Sequence, residues 1–150
     1  MWTEPVDILA TTGTGSLTVF SLRTDVYGDL VLFWGSDNRL KMSSAAPRDA
    51  LSASGWSTAD VALESSFYGD LEIDDAGRYH AVYTSQNLRV QYVMSSDGQI
   101  WTQPVTVGDV VGPTRALSFA DLALDAAGRL YATWTENDGL NNWLASAVCV

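Results

Sequence analysis

Ser95 and Asp97, in the stretch SSDGQIW, place a hydroxyl and a carboxylate two positions apart. Such oxygens can ligate a hard cation, but one carboxylate is too few for a good oxygen cage. The same two groups can instead hold a tight turn by accepting backbone N–H bonds. His80 is the single histidine and sits inside a strand-like run, so a metal site or a Ser-His-Asp relay has no further partners to draw on. Cys149 is the one cysteine, which excludes an intramolecular disulfide and a cysteine-based zinc site. The stretch TGTGS from Thr12 lacks the lysine and following helix of a phosphate loop. No cofactor and no metal is expected from these residues.

The totals narrow the partners. Asp and Glu number 18 against 8 Lys and Arg, for a net charge of −10. Without a basic cluster, nucleic acid and anionic membrane surfaces are not expected partners, because both are bound mainly by Lys and Arg. No apolar run approaches the roughly 20 residues that cross a bilayer. The first residues, MWTEPVDIL, show no signal-peptide pattern, and the compartment stays open, leaning to extracellular or cell-surface.

The elements that would position any site come from an internal repeat. D-x-x-G turns at Asp25, Asp74 and Asp125 recur about every fifty residues, a spacing typical of repeat architectures. Each is preceded by a leucine (Leu22, Leu71, Leu122) and followed by an aromatic (Trp34, Tyr83, Trp134). The Asp carboxylate can accept from N–H groups further along the turn, and Gly supplies a left-handed conformation. Alternating or apolar runs flank each turn, which reads as a hairpin. A third run follows each pair (RLKMSS, LRVQYVMSS, NNWLASAV), and a fourth opens on Trp: WTEPVDIL, WSTADVAL and WTQPVTVG. Four short antiparallel strands per repeat is the signature of a β-propeller blade. The one helical signal is weak, in SAAPRDALSAS from Ser44.

Against this frame, SSDGQIW resembles the Asp-box of sialidase-like (BNR-repeat) propellers, S-x-D-x-G-x-x-W, shortened by one residue. The resemblance covers three blades, with one motif near intact. It implies a fold element: Ser95 starts the turn, Asp97 caps it, Gly98 permits it, and Trp101 packs between neighbouring sheets. It also implies an all-β chain of three four-stranded antiparallel blades in a single unit, residues 1–150. A completing strand spans 2–9, and the blades cover about 17–63, 67–107 and 117–150, the third without its outer strand. Three blades cannot close a ring alone. The expected partner is therefore a second copy, a six-bladed homodimer in which the Trp2–Leu9 strand completes the other chain's third blade.

Loops on a sheet scaffold are the usual home of binding residues. The rim loops offer Asp37, Asn38, Arg39, Gln86, Asn87, Arg89, Arg115, Glu136, Asn137 and Asp138 as candidates for a glycan or protein ligand. A retaining sialidase uses a tyrosine nucleophile with a carboxylate partner and an arginine cluster; the nearest pair here is Tyr68 with Glu64. The family's F/Y-R-I-P motif is absent, and none of the loop arginines sits in a family catalytic motif. Arg78 and Arg129, after the turn glycines, read as surface residues, and Trp143 as packing rather than a sugar platform. No catalytic residue is assigned. The expected function is a non-catalytic, self-associating propeller module that binds carbohydrate or protein on its loop rim. The alternatives are a sialidase-like glycoside hydrolase, active or inactive, completed on assembly, and a purely structural or engineered half-propeller.

Overall fold

The computed structural model describes residues 4–9, 16–36, 39–62, 66–109 and 116–149. Among these the fold is all-β, with one short 3-10 turn at Ala53–Gly55 and no α-helix. The first sheet holds β1 (Leu17–Thr24), β2 (Leu30–Ser36), β3 (Arg39–Ala45) and β4 (Ser57–Ala62). The second holds β5 (Ser66–Ile73), β6 (Tyr79–Ser85), β7 (Arg89–Ser95) and β8 (Val105–Asp109), and the third β9 (Ala116–Leu124), β10 (Leu130–Asn137) and β11 (Asn142–Cys149). Strand order follows chain order in every sheet, and every pairing is antiparallel. The sheets are blade-like. Glu4–Leu9 belongs to none of them.

The D-x-x-G turns fold alike because each Asp organises the backbone after it. Asp74 Oδ1 accepts from the N–H groups of Ala76 (3.0 Å) and Arg78 (2.8 Å), and Asp125 Oδ1 does the same for Ala127 and Arg129. Gly28, Gly77 and Gly128 take φ of +87°, +76° and +76°, conformations an L side chain rarely adopts. Arg78 and Arg129 are half-exposed and fold back onto Asp74 and Asp125. The helical signal around Ser44–Ser54 resolves into turns that lead to the short 3-10 segment.

The second sheet lies between the other two. Its strand β6 is buried on both faces along its whole length. Ala81 and Tyr83 pack with Val31, Phe33, Leu40 and Met42 of the first sheet. Val82, from the opposite face, packs with Leu122, Leu130, Ala132 and Trp134 of the third. The alternating period of a strand thus feeds two cores from one sequence run. The first strands β1, β5 and β9 lie beside one another. Each has a bulge, at Val19/Ser21 in β1, at the start of β5 between Ser66 and Gly69, and opposite Thr133/Thr135 in β9. In β9 the bulge holds Phe119 at φ +54°.

Candidate functional site

The strongest polar constellation lies where the first strands meet. Ser21, Asp70 and Asp121 each stand one residue before the repeat leucine, so the repeat places them at equivalent positions. Arg23, two residues further along β1, reaches across to β5. Its Nη2 donates to both oxygens of Asp70 (2.9 and 3.1 Å) and to Glu72 Oε1 (3.1 Å). The N–H of Leu122 in β9 donates to Asp70 Oδ2 at 3.2 Å. Asp70 therefore ties all three sheets together.

Asp70 is 5% exposed. Burial pushes its carboxyl up, and a hydrogen bond with Asp121 adds to this; Arg23 and the backbone donors of Leu71 and Leu122 pull the other way. The balance is a pKa of about 6. A hydrogen bond to a second carboxyl favours the protonated form of Asp70, which is why it raises this group. Glycosidase carboxyl pairs flank a sugar bond and stand about 5–9.5 Å apart. The Asp70–Asp121 contact leaves no such gap between its members.

An open cleft of about 770 Å³ runs along these strands, lined by Thr18, Ser21, Arg23, Asp70 and Asp121 with the aromatics Tyr68 and Phe119. It continues past Thr133, Thr135 and Leu144 of the third sheet. The Tyr68 and Phe119 rings sit 4.7 Å apart at 44°. Ser21 Oγ, on the wall of this cleft, is buried without a hydrogen-bond partner. The cleft combines a pair of neighbouring aromatic rings with the Arg23 guanidinium and the Asp70 and Asp121 carboxyls. That arrangement can hold a hydroxylated ligand by stacking and hydrogen bonds.

The expected site residues are distributed differently. Tyr68 lines the cleft, while Glu64 lies outside the described residues, as do Asp37, Asn38 and Arg115. Arg39 pairs with Asp60 across β3–β4, and Arg89 approaches Asp109 across β7–β8 at 3.7 Å. Gln86 and Asn87 are exposed in the β6–β7 turn. Glu136 is buried and accepts from Trp134 Nε1 at 3.2 Å. Asn137 accepts from Gly139 N and donates to Asn142, and Asp138 accepts from the N–H groups of Leu140 and Asn141. These rim groups spend much of their hydrogen bonding on holding their own strands and turns.

Two further sequence features find definite places. The stretch from Ser95 forms a tight turn: Ser95 Oγ accepts from Gly98 N (2.9 Å), and Asp97 Oδ1 accepts from Gln99 and Ile100 (both 2.9 Å). The Ile100 and Gln99 N–H groups, with the Ser95 hydroxyl, hold the Asp97 carboxyl below the usual range. Trp101 packs against the core between the first two sheets. His80 is buried, with Nδ1 2.7 Å from the Tyr92 hydroxyl and Nε2 3.3 Å from Asp74 Oδ2. No group of three or more metal-ligating side chains occurs among the described residues.

Ser21, Arg23, Asp70 and Asp121 escaped the sequence reading. Aligning the repeats on their leucines exposes the column Ser21, Asp70, Asp121, a polar residue at the same place in all three first strands. That column was the available signal. A comparison with known family models found no match, and a comparison with curated proteins found none.

Proposed function

We propose that this chain is a non-catalytic, sialidase-like propeller module that associates with a second copy and takes a carbohydrate or protein ligand along its first-strand cleft and loop rim. One observation carries the reading. The third sheet has three strands among the described residues, whereas the other two have four. Glu4–Leu9, which continues the stretch WTEPV that matches WTQPV at the entry to β8, pairs with no strand among the described residues. An open strand edge at β11 and an unused strand of matching sequence favour exchange between copies.

Light scattering across a dilution series tests this. The expected species has about twice the 16.2 kDa chain mass. A monomer at every concentration sinks the reading.

A second reading, a sialidase-like hydrolase completed on assembly, draws on the place of Tyr68 in the cleft beside Asp70. It requires turnover of a fluorogenic sialoside that Tyr68→Phe abolishes. Glycan binding without turnover supports the module. Silence in both assays leaves a structural half-propeller.

A further inference from the structure

The association proposed above has a specific seat, and this inference rests on that reading. The second sheet shows how a fourth strand is joined to a blade here. Ser95 and Trp101 form an antiparallel bridge. Thr102 N donates to Met94 O at 2.9 Å, and Met94 N donates to Thr102 Oγ1 at 3.0 Å. The chain then runs through Pro104 to Val105, which pairs with Tyr92. The Trp101 side chain fills the space against the preceding sheet, on a core that includes Met42 and Val61.

The matching space between the second and third sheets is an apolar cleft of about 240 Å³. Strand register makes Tyr92 and Val107 the counterparts of Met42 and Val61, since the β3–β4 and β7–β8 pairings carry the same shift at the same place. Both line this cleft, with Val105 beside them and Ala147, Val148 and Cys149 opposite. Register also identifies Cys149 as the counterpart of Ser95: Leu130 pairs with Cys149 as Tyr79 pairs with Ser95.

The N-terminal sequence supplies what fits. Trp2-Thr3-Glu4-Pro5-Val6 repeats Trp101-Thr102-Gln103-Pro104-Val105 with one substitution. In this chain each fourth strand leads into the first strand of the next sheet, β4 into β5 and β8 into β9. The segment before β1 is by that rule the fourth strand of a sheet preceding the first. Within one chain the third sheet lies on the far side of the second from the first. In a ring of two copies, the third sheet of one precedes the first sheet of the other, and this segment then falls beside the three-stranded third sheet.

We infer that Trp2 of a second copy seats in the cleft between β7–β8 and β11, opposite Cys149, with Val6 opposite Ser146. Apolar burial of the indole drives the exchange, and the strand that follows completes the hydrogen bonding of the β11 edge.

Disulfide trapping tests the register. Directly opposed residues of an antiparallel pair have Cα atoms about 4.5–5.5 Å apart, within disulfide reach. Mild oxidation of Trp2→Cys should therefore give a covalent dimer through Cys149. The same cross-link should fail in Trp2→Cys/Cys149→Ser and in Val6→Cys, where the new thiol faces Ser146. Because Trp2→Cys also removes the indole, a second measurement uses the wild-type chain. Alkylation of Cys149, exposed in the single chain, should slow about tenfold as concentration is raised through the dimer range. A wild-type dimer with neither the cross-link nor the protection overturns this seat and leaves association standing. A cross-link within one chain overturns the second copy as occupant. A wild-type monomer removes both.

Discussion

At the scale of residues, the Asp70 carboxyl is the most informative group in the molecule. Its native pKa of about 6 lies above the ordinary value of 3.8, so the folded state holds a proton that the unfolded chain releases. Its contribution to stability is fully present below about pH 4 and is lost as pH rises through about 6. The turn carboxylates act in the opposite sense. Partial burial raises Asp74, but the Arg78 N–H, the Arg78 guanidinium and His80 outweigh it and hold the group at about 2. Its contribution is present above about pH 4 and fades as pH falls towards 2. Asp121→Asn separates the two. The amide keeps an oxygen for Leu122 N and offers an N–H to Asp70, so Asp70 ionises at lower pH. Stability at pH 7 is expected to rise by about 1–2 kcal/mol, and the decline in Tm between pH 4 and 6 to flatten. Thermal melts across that range check both; an unchanged slope means that Asp121 does not raise the Asp70 carboxyl.

At the scale of elements, the hairpin turns set strand register, and they are not equal in weight. Asp74 accepts from the N–H groups of Ala76 and Arg78, from the Arg78 guanidinium, and contacts buried His80. Asp125 makes the same backbone contacts, with Arg129 and the Tyr131 hydroxyl in place of the histidine. Asp74→Ala leaves a buried imidazole short of a partner and should cost about 2 kcal/mol in urea unfolding at pH 7. Asp125→Ala should be the milder of the two, because its lost partners can turn to water. A reversed order would mean that His80 does not depend on the turn. The strands, the turns and their antiparallel pairing were legible in the sequence, since period-2 alternation and D-x-x-G are local signals. The bulges in β1, β5 and β9 were not. Phe119 looks like any strand aromatic until its φ of +54° is seen, and nothing in the stretch LSFADL marks the irregularity.

At the scale of the whole molecule, the third sheet has its outward face and its β11 edge uncovered by the described chain. Leu144 is 78% exposed and Val148 52%, in a protein that otherwise packs its sheets against one another. Deletion of residues 1–9 removes the strand proposed to cover that edge. The truncated chain is expected to run as a monomer by light scattering and to show a lower Tm than the full chain at equal concentration, because association stabilises the folded state by mass action. A truncated chain that keeps the mass of the full-length protein would place the contact elsewhere.

What the sequence determined by itself is the part written in neighbouring residues: strands, tight turns, their recurrence, and the second copy of W-T-x-P-V at the N-terminus. Rim polar groups were legible as residues but not as partners, since their bonds to adjacent strands and turns emerge with the backbone. The tertiary structure alone decided which side chains meet. Arg23 lies 47 residues from Asp70, and Asp70 lies 52 from Leu122. Stacking of the three sheets brings them within hydrogen-bond distance. Local patterns name a strand and its buried face, but which strands become neighbours depends on how whole sheets bury their apolar faces against each other.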